Sequence, residues 1–509
     1  MAVNAQAQQQ QQSSPDKQLV LSKFGGMNCQ SPRQSIGDEE FWWLENMMPL
    51  ANGDLVELAA PSAVLATLTG NLLYTQSAII GGTPYIVAFM DTGNGYIINA
   101  VNGTVVQMGT AGAFSTTAGM QVTQWSNKGI LIIDPAKGYF DWNVTTASTL
   151  TNISTTVLGT AIAVYAGRVW IANGRQVTFT GTAGYNDFSA ANGSSSFSIN
   201  DDTLVNNITQ LYATGGYMYI FGDESVDVLS NVTIASGVTN FTRLNLLTGV
   251  GTSYPESLIS LQKTMVMMSS TGIYALLGST PQKLSDKINT ILGLADLTKP
   301  FTGGIVALNG VLCAAFAFTF NDTLLGLGSR QVIALFAGGK WFLCSPLAGI
   351  TQIVSVLVNN VPTLYGWVNN QLYPLFSNAT GALAVTIKTK LYDGEDPLID
   401  KQLIRLGIGA DFTQSASSSV TITADNEYDS VAVTGSSSNQ LALNNNLGQS
   451  LLLLNNSSQA LLLNSKGYVF FKFQPDLMGG KYLGMTITAI TAALLLTFIA
   501  MEFRLGGRW

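Results

Sequence analysis

The stretch GRVWIANGRQVTFTG, from Gly167 to Gly181, reads as a turn, an apolar strand, a second turn and a second strand. The same turn-plus-strand pattern recurs as GYIINA from Gly95, GILIID from Gly129, GYMYIF from Gly216, KTMVMM from Lys263, GVLCAA from Gly310 and VPTLYGW from Val361. From Gly129 onward the segments begin about 38 to 51 residues apart, a period typical of four-stranded propeller blades.

Radial stacking explains why such small sheets are stable. One four-stranded sheet exposes apolar faces and unpaired edges, whereas a ring of sheets buries the faces and leaves only short edges. We therefore predict an all-β protein with a β-propeller of about six blades over residues 61–380. Seven blades is the alternative count. An array of β-sandwiches is the competing architecture, since strand spacing alone fits both.

The low charge of the chain limits how it can interact with nucleic acid and with other proteins. Only 10% of the residues are charged, against about 25% in an average soluble domain, and the net charge is −7. This composition disfavours a protein that grips nucleic acid tightly, because such binding needs clustered Lys and Arg. It is compatible with DNA that slides past a wall, and with a surface that contacts neighbouring subunits.

The sequence gives few candidates for chemistry. It contains no histidine, which excludes Ser-His-Asp and Cys-His catalysis and histidine-ligated zinc. Cys29, Cys313 and Cys344 lack metal-site spacing and are predicted to be buried thiols. The acidic stretch DGEDPLID at 393–400 reads as a turn and lacks calcium-loop spacing, and no phosphate-binding glycine motif is present. We predict no catalytic, cofactor-binding or metal residues, and no enzyme activity; a carboxylate pair for glycoside cleavage stays open.

After Phe376 the pattern changes to alternating apolar and polar residues, as in half-buried antiparallel strands. Residues 381–509 are predicted to form a second β domain, either a sandwich or barrel-like. Near its end, Met485 to Met501 is continuously rich in apolar residues. We favour a strand that closes this domain's sheet, because β-branched residues crowd the segment. A membrane anchor or a buried helix is the alternative.

A leucine-rich loop at 436–466 interrupts the second domain. Because exposed apolar loops usually meet a partner, we identify it as a candidate channel gate, with an ordinary edge β-meander as the alternative. The candidate gate residues are Leu441, Leu443, Leu451, Leu452, Leu453, Leu454, Leu461, Leu462 and Leu463.

The N-terminal region is predicted in two parts. Residues 1–22 form a polar, glutamine-rich arm. Residues 23–60 form a Gly-Gly turn and a short helix that begins at Asp38–Glu40. Pro49 then ends this helix, because the residue before a proline is disfavoured in helical conformation.

The stretch FGGMNCQSPRQSIGDEEFWWLENMMPLANGDLVEL, from Phe24 to Leu58, resembles the start of tail proteins from short-tailed bacteriophages (podoviruses). Members open with a Phe-Gly-Gly turn, a short helix that ends in Asn-Met, and a glycine turn before a strand. The matching residues, which we call the opening motif, are Phe24, Gly25, Gly26, Asn28, Asn46, Met47, Pro49 and Gly53. The family's following Arg-Pro-Gly is replaced here by LAAPSA. Similar stretches occur in the propeller region, in IKTKLYDGEDPLIDKQLIRLGI and in KYLGMTIT.

This resemblance implies a tail nozzle, also called tail tubular protein B or tail hub. In that family six copies form a ring in the virion tail, below the portal and adaptor rings. The ring conducts DNA outward at ejection, helps to retain the packaged genome and offers attachment sites for tail fibres or spikes. The implied partners are therefore other copies of the chain, the head-to-tail adaptor, fibres or spikes, and double-stranded DNA in transit without sequence-specific binding. Contact with the host envelope is left open.

Two other functions fit an all-β chain of this composition. One is a β-propeller adhesin that recognises glycans through an aromatic pocket. The other is a propeller enzyme of the tail that degrades polysaccharide through two facing carboxylates. Neither requires a ring or a channel.

Overall fold

The structure is a computed structural model. It describes residues 16–126, 129–143, 149–182, 184–235, 237–413, 419–428, 430–435, 443–444, 450–451, 467–472 and 479–506. These residues form two compact units. The larger unit runs from Ala60 to Asn378, and the smaller unit joins the described residues before Ala60 to those from Ala379 onward. Nearly all of the regular structure is β, as predicted.

Four short strands precede the larger unit: β1 (Lys17–Leu21), β2 (Phe41–Glu45), β3 (Met47–Pro49) and β4 (Leu55–Glu57). The predicted short helix is wrong, because β2 and β3 occupy its place. Phe41, Trp43 and Leu44 are almost fully buried in β2. A helix of so few residues is marginal, and aromatic residues in a buried strand gain more from packing. β1 occupies residues that were predicted as part of a polar arm.

The larger unit contains a six-blade propeller arrangement, which confirms the predicted architecture. It begins with β5 (Ala66–Thr67). Five four-stranded antiparallel sheets follow: β6 (Leu72–Ile80), β7 (Thr83–Met90), β8 (Gly95–Asn99), β9 (Val105–Met108); β10 (Gln121–Trp125), β11 (Gly129–Asp134), β12 (Gly138–Asn143), β13 (Leu150–Ser154); β14 (Ala161–Tyr165), β15 (Arg168–Asn173), β16 (Gln176–Phe179), β17 (Ser195–Ser198); β18 (Gln210–Thr214), β19 (Tyr217–Phe221), β20 (Ser225–Ala235), β21 (Val238–Thr248); β22 (Ile259–Leu261), β23 (Thr264–Ser269), β24 (Gly272–Leu277), β25 (Thr280–Lys283).

A further antiparallel meander comes next: β26 (Thr302–Leu308), β27 (Val311–Asp322), β28 (Gly328–Ala337) and β29 (Lys340–Cys344). The last blade consists of β30 (Ile350–Val358), β31 (Val361–Val368), β32 (Gln371–Pro374) and, from the start of the unit, β5. Short helical turns lie at Ala190–Asn192, Pro255–Ser257 and Asp286–Ile288, and α1 spans Asn289–Gly293.

The structure also shows which strand of each sheet the repeated segments form, and one of them differs from the others. The segments that begin at Gly129, Gly167 and Gly216 contain second strands of their sheets. GYIINA from Gly95 is instead the third strand of the first blade, whose second strand is Thr83–Met90. Pro84 near the start of that strand disguised it, because proline is rare inside strands.

β5 closes the ring as the outermost strand of the last blade. Its residue Ala66 pairs with Leu372, and the flanking Leu65 N–H donates to the Leu372 carbonyl at 2.8 Å. Buried apolar clusters then fill the spaces between neighbouring blades. One of them joins the last blade to the first through Trp367, which is 0% exposed, and Ile86. The ends of the propeller region are therefore tied by backbone pairing and by core packing.

The smaller unit is completed by β33 (Leu383–Thr389), β34 (Lys401–Thr413), β35 (Ser419–Asn426), β36 (Ser430–Gly435), β37 (Leu443–Asn444), β38 (Ser450–Leu451), β39 (Gly467–Lys472), β40 (Gly479–Gly480) and β41 (Leu483–Leu505). The first half of β41 pairs with β33 and β35, and its second half pairs with β34 and β1. The prediction of a strand over Met485–Met501 is thus confirmed. In the part of the chain that the structure describes, no helix has the length and apolarity needed to cross a membrane.

β41 changes partners at an irregular point in its middle. Ala493 adopts a left-handed backbone conformation, with φ of 58°. The Glu57 carboxylate accepts hydrogen bonds from the Thr491 hydroxyl and the Leu494 N–H, both at 2.8 Å. Glu57 is 5% exposed, and burial raises its pKa against the effect of these bonds. The bend removes the Leu494 N–H from regular strand pairing, and the buried Glu57 carboxylate accepts its hydrogen bond instead.

Candidate functional site

The Gly-Gly turn of the opening motif is a point of close backbone approach. The Gly25 N–H donates to the Glu39 carbonyl at 2.6 Å, and a Cβ on Gly25 would lie 2.8 Å from that oxygen. The Phe24 N–H donates to the Gly53 carbonyl at 3.0 Å, which ties this turn to the glycine turn before β4. Glycine is required at position 25 because any side chain would displace the bond.

The two asparagines of the motif also form hydrogen bonds within the smaller unit. Asn46, between β2 and β3, has φ of 62°, a conformation that asparagine tolerates well, and its Nδ2 donates to the Ala384 carbonyl at 2.8 Å. The Asn28 Nδ2 donates to the Glu40 carboxylate at 2.8 Å. Met47 is buried, and Pro49 ends β3 rather than a helix. The geometry brings all eight motif residues into the smaller unit as parts of its framework.

Arg33 is a central anchor of the smaller unit that the sequence reasoning missed. Its Nε donates to the Thr389 carbonyl at 2.6 Å, while Nη2 donates to the Asp425 carboxylate at 2.6 Å and to the Met485 carbonyl at 3.1 Å. One guanidinium thus holds β33, β35 and β41 to the N-terminal segment. Its partners are hundreds of residues away in the chain, so no local sequence signal marks it.

The acidic stretch at 393–400 forms turns, as predicted, and ends at a buried lysine. Lys401 is 0% exposed, and its ammonium donates to the carbonyls of Asp396, Ile399 and Lys481 at 2.6 to 2.8 Å. Burial lowers the pKa of Lys401, and the nearby acids, beginning with Asp393, oppose that shift. All three N–H donors of the ammonium have acceptors, so this turn has a structural role.

Of the candidate gate leucines, the structure describes only Leu443 and Leu451, which pair across β37 and β38. The other seven lie outside the described residues: Leu441, Leu452, Leu453, Leu454, Leu461, Leu462 and Leu463. The gate therefore stays a prediction.

A central cavity of about 620 Å³ lies in the larger unit. The first strand of every blade borders it, and so does β26 of the additional meander. The residues contributed by these strands lie at 74–78, 121–124, 162–164, 210–213, 258–260, 302–305 and 353–355, with Pro255 and Glu256 from a helical turn. A volume of this size is typical of small-molecule sites.

The polar wall of the central cavity follows from the sheets themselves. The first strand of each sheet has no neighbouring strand on its inner side. Polar side chains therefore form hydrogen bonds with its free backbone groups. The Gln124 amide exchanges two hydrogen bonds with the backbone of Ile79, linking the first two blades. The Ser355 hydroxyl donates to the Ile305 carbonyl at 2.6 Å in the same manner. The side chains of Gln124 and Ser355 therefore connect neighbouring strands around the ring, and this structural role is sufficient to explain them.

Glu256 differs from these wall residues. Among the described residues, Glu256 is the one charged residue that borders the central cavity, and burial raises its pKa to about 7. Burial also raises the pKa of the Tyr74 phenol, and the charge of Glu256 adds to that shift. Across the wall, burial raises the pKa of Tyr212, partly offset by a hydrogen bond with Ser260. A carboxyl that titrates near neutral pH thus faces a polar space without cationic side chains.

A second concavity, of about 300 Å³, lies on the second blade and is bordered by Trp125, Asp141 and Tyr185 among others. The rings of Trp125 and Tyr185 are 5.7 Å apart. The pKa of Tyr185 is raised, first by its hydrogen bond to Asp141. An aromatic ring beside a carboxylate and amides is the chemistry that binds sugars.

The three cysteines are buried thiols, as predicted. Within the described residues, no group of three or more acidic, cysteine or histidine side chains is placed to hold a metal. A scan against models of known protein families and a search of curated proteins both returned no match for this chain.

Proposed function

We propose that this chain is a structural, non-enzymatic subunit of the tail nozzle of a short-tailed bacteriophage. The observation that carries the proposal is the role of the opening motif. The residues that produce the resemblance include Gly25, which has no room for a Cβ, and Asn46 and Gly53, which have positive φ. A resemblance that rests on such positions reflects shared architecture more directly than one that rests on surface residues.

In this proposal six copies form a ring in the virion tail, between the adaptor ring and the fibres or spikes. The low fraction of charged residues suits a protein that is largely covered by neighbouring subunits. Because the net charge is −7, DNA passes along the wall without being gripped, and its sequence is not read.

Electron microscopy of the full-length protein, alone and in purified particles, tests this proposal. We expect a ring of six subunits whose central channel is wide enough for a DNA duplex. A monomeric propeller, or an oligomer that has no channel, would contradict it.

Glycan binding is the second candidate function, and the pocket at Trp125 and Tyr185 favours it. Asp141 is the one acid among the described residues that border this pocket, whereas glycoside cleavage uses two carboxylates. The pocket therefore suits binding better than hydrolysis. Replacing Trp125 with Ala should abolish binding on a glycan array if this function is correct, while replacing the exposed Tyr217 with Ala should not.

A further inference from the structure

The Glu256 side chain is the starting point, since nothing in the proposed nozzle function uses it. Among the described residues, no side chain or backbone N–H forms a hydrogen bond or ion pair with its carboxylate. The same short turn is otherwise fixed: the Ser257 hydroxyl donates to the Tyr254 carbonyl at 2.6 Å and accepts from the Met268 N–H at 3.0 Å. The turn is thus held in place while its carboxylate faces the central cavity unpaired.

Glu256 is half-buried, and a carboxylate in such a place is normally stabilised by a cation or by hydrogen-bond donors. In the part of the chain that the structure describes, no Lys or Arg borders the central cavity. A divalent metal is a poor occupant, because calcium and magnesium sites use several oxygen ligands and usually more than one carboxylate. The single carboxylate of the wall therefore fits a cation of single charge.

The rest of the wall indicates what accompanies that charge. Amide and hydroxyl groups from Gln76, Gln210 and Thr123 border the cavity together with partly exposed apolar side chains, including Val164 and Ile305. A hydrated metal ion would gain nothing from the apolar patches, whereas an aliphatic amine would contact both. The volume also exceeds what a single ion requires.

We propose that the central cavity binds a small organic cation, a primary ammonium compound with a short aliphatic body, and that Glu256 is its counter-ion. The ammonium supplies three N–H donors, and the carboxylate and nearby amide oxygens accept them. The aliphatic body lies against the apolar part of the wall. This site is independent of the nozzle function and of the pocket at Trp125.

Binding is linked to pH through Glu256. The titratable groups that border the central cavity are Glu256 and the phenols of Tyr74 and Tyr212, and burial raises the pKa of both phenols, which keeps them neutral below pH 10. Because the pKa of Glu256 is about 7, its carboxyl is mostly protonated at pH 6 and mostly ionised at pH 8. An ammonium ligand needs the ionised form, so its affinity should rise about tenfold between these pH values.

Titration calorimetry of the full chain with butylamine, and with butan-1-ol as a neutral control of similar size, tests this proposal. We expect butylamine to bind more tightly at pH 8 than at pH 6, with proton release at the lower pH, and butan-1-ol to bind far more weakly. The Glu256→Gln variant keeps the shape of the side chain and should lose most of the affinity and the pH dependence. The Glu224→Gln variant, on an exposed residue of the same unit, should behave like the parent.

Three outcomes would overturn the proposal. One is the absence of butylamine binding to the parent at pH 8, and another is equal binding of the amine and the alcohol. The third is unchanged amine affinity in Glu256→Gln. Circular dichroism of each variant shows whether it is folded, and because Gln removes a half-buried charge and keeps the side chain's shape, the variant should be at least as stable as the parent at pH 8.

Discussion

Both units of this chain are antiparallel β structures with buried apolar side chains, but they differ in how distant segments are connected. In the larger unit, apolar clusters repeat from blade to blade, and one joins the last blade to the first. In the smaller unit, single polar side chains connect distant segments: Arg33 to Asp425, Glu57 to Leu494 and Lys401 to Lys481. A repeated unit spreads its stability over many similar contacts, whereas a non-repeated sheet concentrates it in a few.

The largest effect should come from breaking the ring of the larger unit. Trp367 is fully buried between the last and first blades, and its Nε1 donates to the Thr75 hydroxyl at 3.3 Å. Replacing Trp367 with Ala should lower the free energy of unfolding by about 3–5 kcal/mol, because a large cavity is left in the core. Denaturant unfolding measures this loss. Tyr217→Ala, at an exposed ring of the same unit, should cost less than about 0.5 kcal/mol. Equal effects would show that closure through Trp367 contributes little.

The next effect tests the polar anchors of the smaller unit. The side chains of Arg33 and Asp425 are 17% and 6% exposed. Replacing Arg33 with Leu should destabilise the protein by about 3 kcal/mol, since the Asp425 carboxylate loses its cation in a buried place. The double variant Arg33→Leu with Asp425→Leu should recover part of the loss.

The exposed ion pair of Lys17 and Glu395 is the control for this prediction. Its Lys17→Leu variant should change the free energy of unfolding by less than about 1 kcal/mol. Thermal unfolding of all four proteins provides the comparison. If Arg33→Leu is no worse than Lys17→Leu, then Arg33 is not an anchor and the contrast between the units is wrong.

The smallest expected effect concerns the bend in β41 and has the opposite sign. Ala493 is exposed and has a positive φ, which costs a residue with a Cβ about 1 kcal/mol relative to glycine. Ala493→Gly should therefore raise the melting temperature slightly. Ala489→Gly, in the regular and buried part of the same strand, should lower it. If Ala493→Gly does not raise the melting temperature, the backbone at Ala493 is not strained.

The same contrast explains what the sequence could predict. The repeat of Gly-type turns and apolar strands is local information, so the propeller and the strand over Met485–Met501 were predictable. The short helix at Asp38 was predicted wrongly because its local signals compete with a distant partner, β33. Neither Arg33 nor Glu256 was found, since each is defined by residues brought together only in the fold. For Glu256, the sole local sign was an acid within the apolar surroundings of PESLISL.

The division of the smaller unit between two distant parts of the chain sets an order of events during synthesis. The strands β1, β2 and β4 leave the ribosome first, but their partners β33 and β41 follow only after the whole larger unit. At the junctions, Ala60 and Asn378 pair with each other, so the larger unit can close as soon as Asn378 is available. A chain halted just after Asn378 would therefore hold the complete larger unit and an N-terminal segment that still lacks its partner strands β33 and β41. Until β33 and β41 are made, the unpaired edges of this segment are exposed to aggregation.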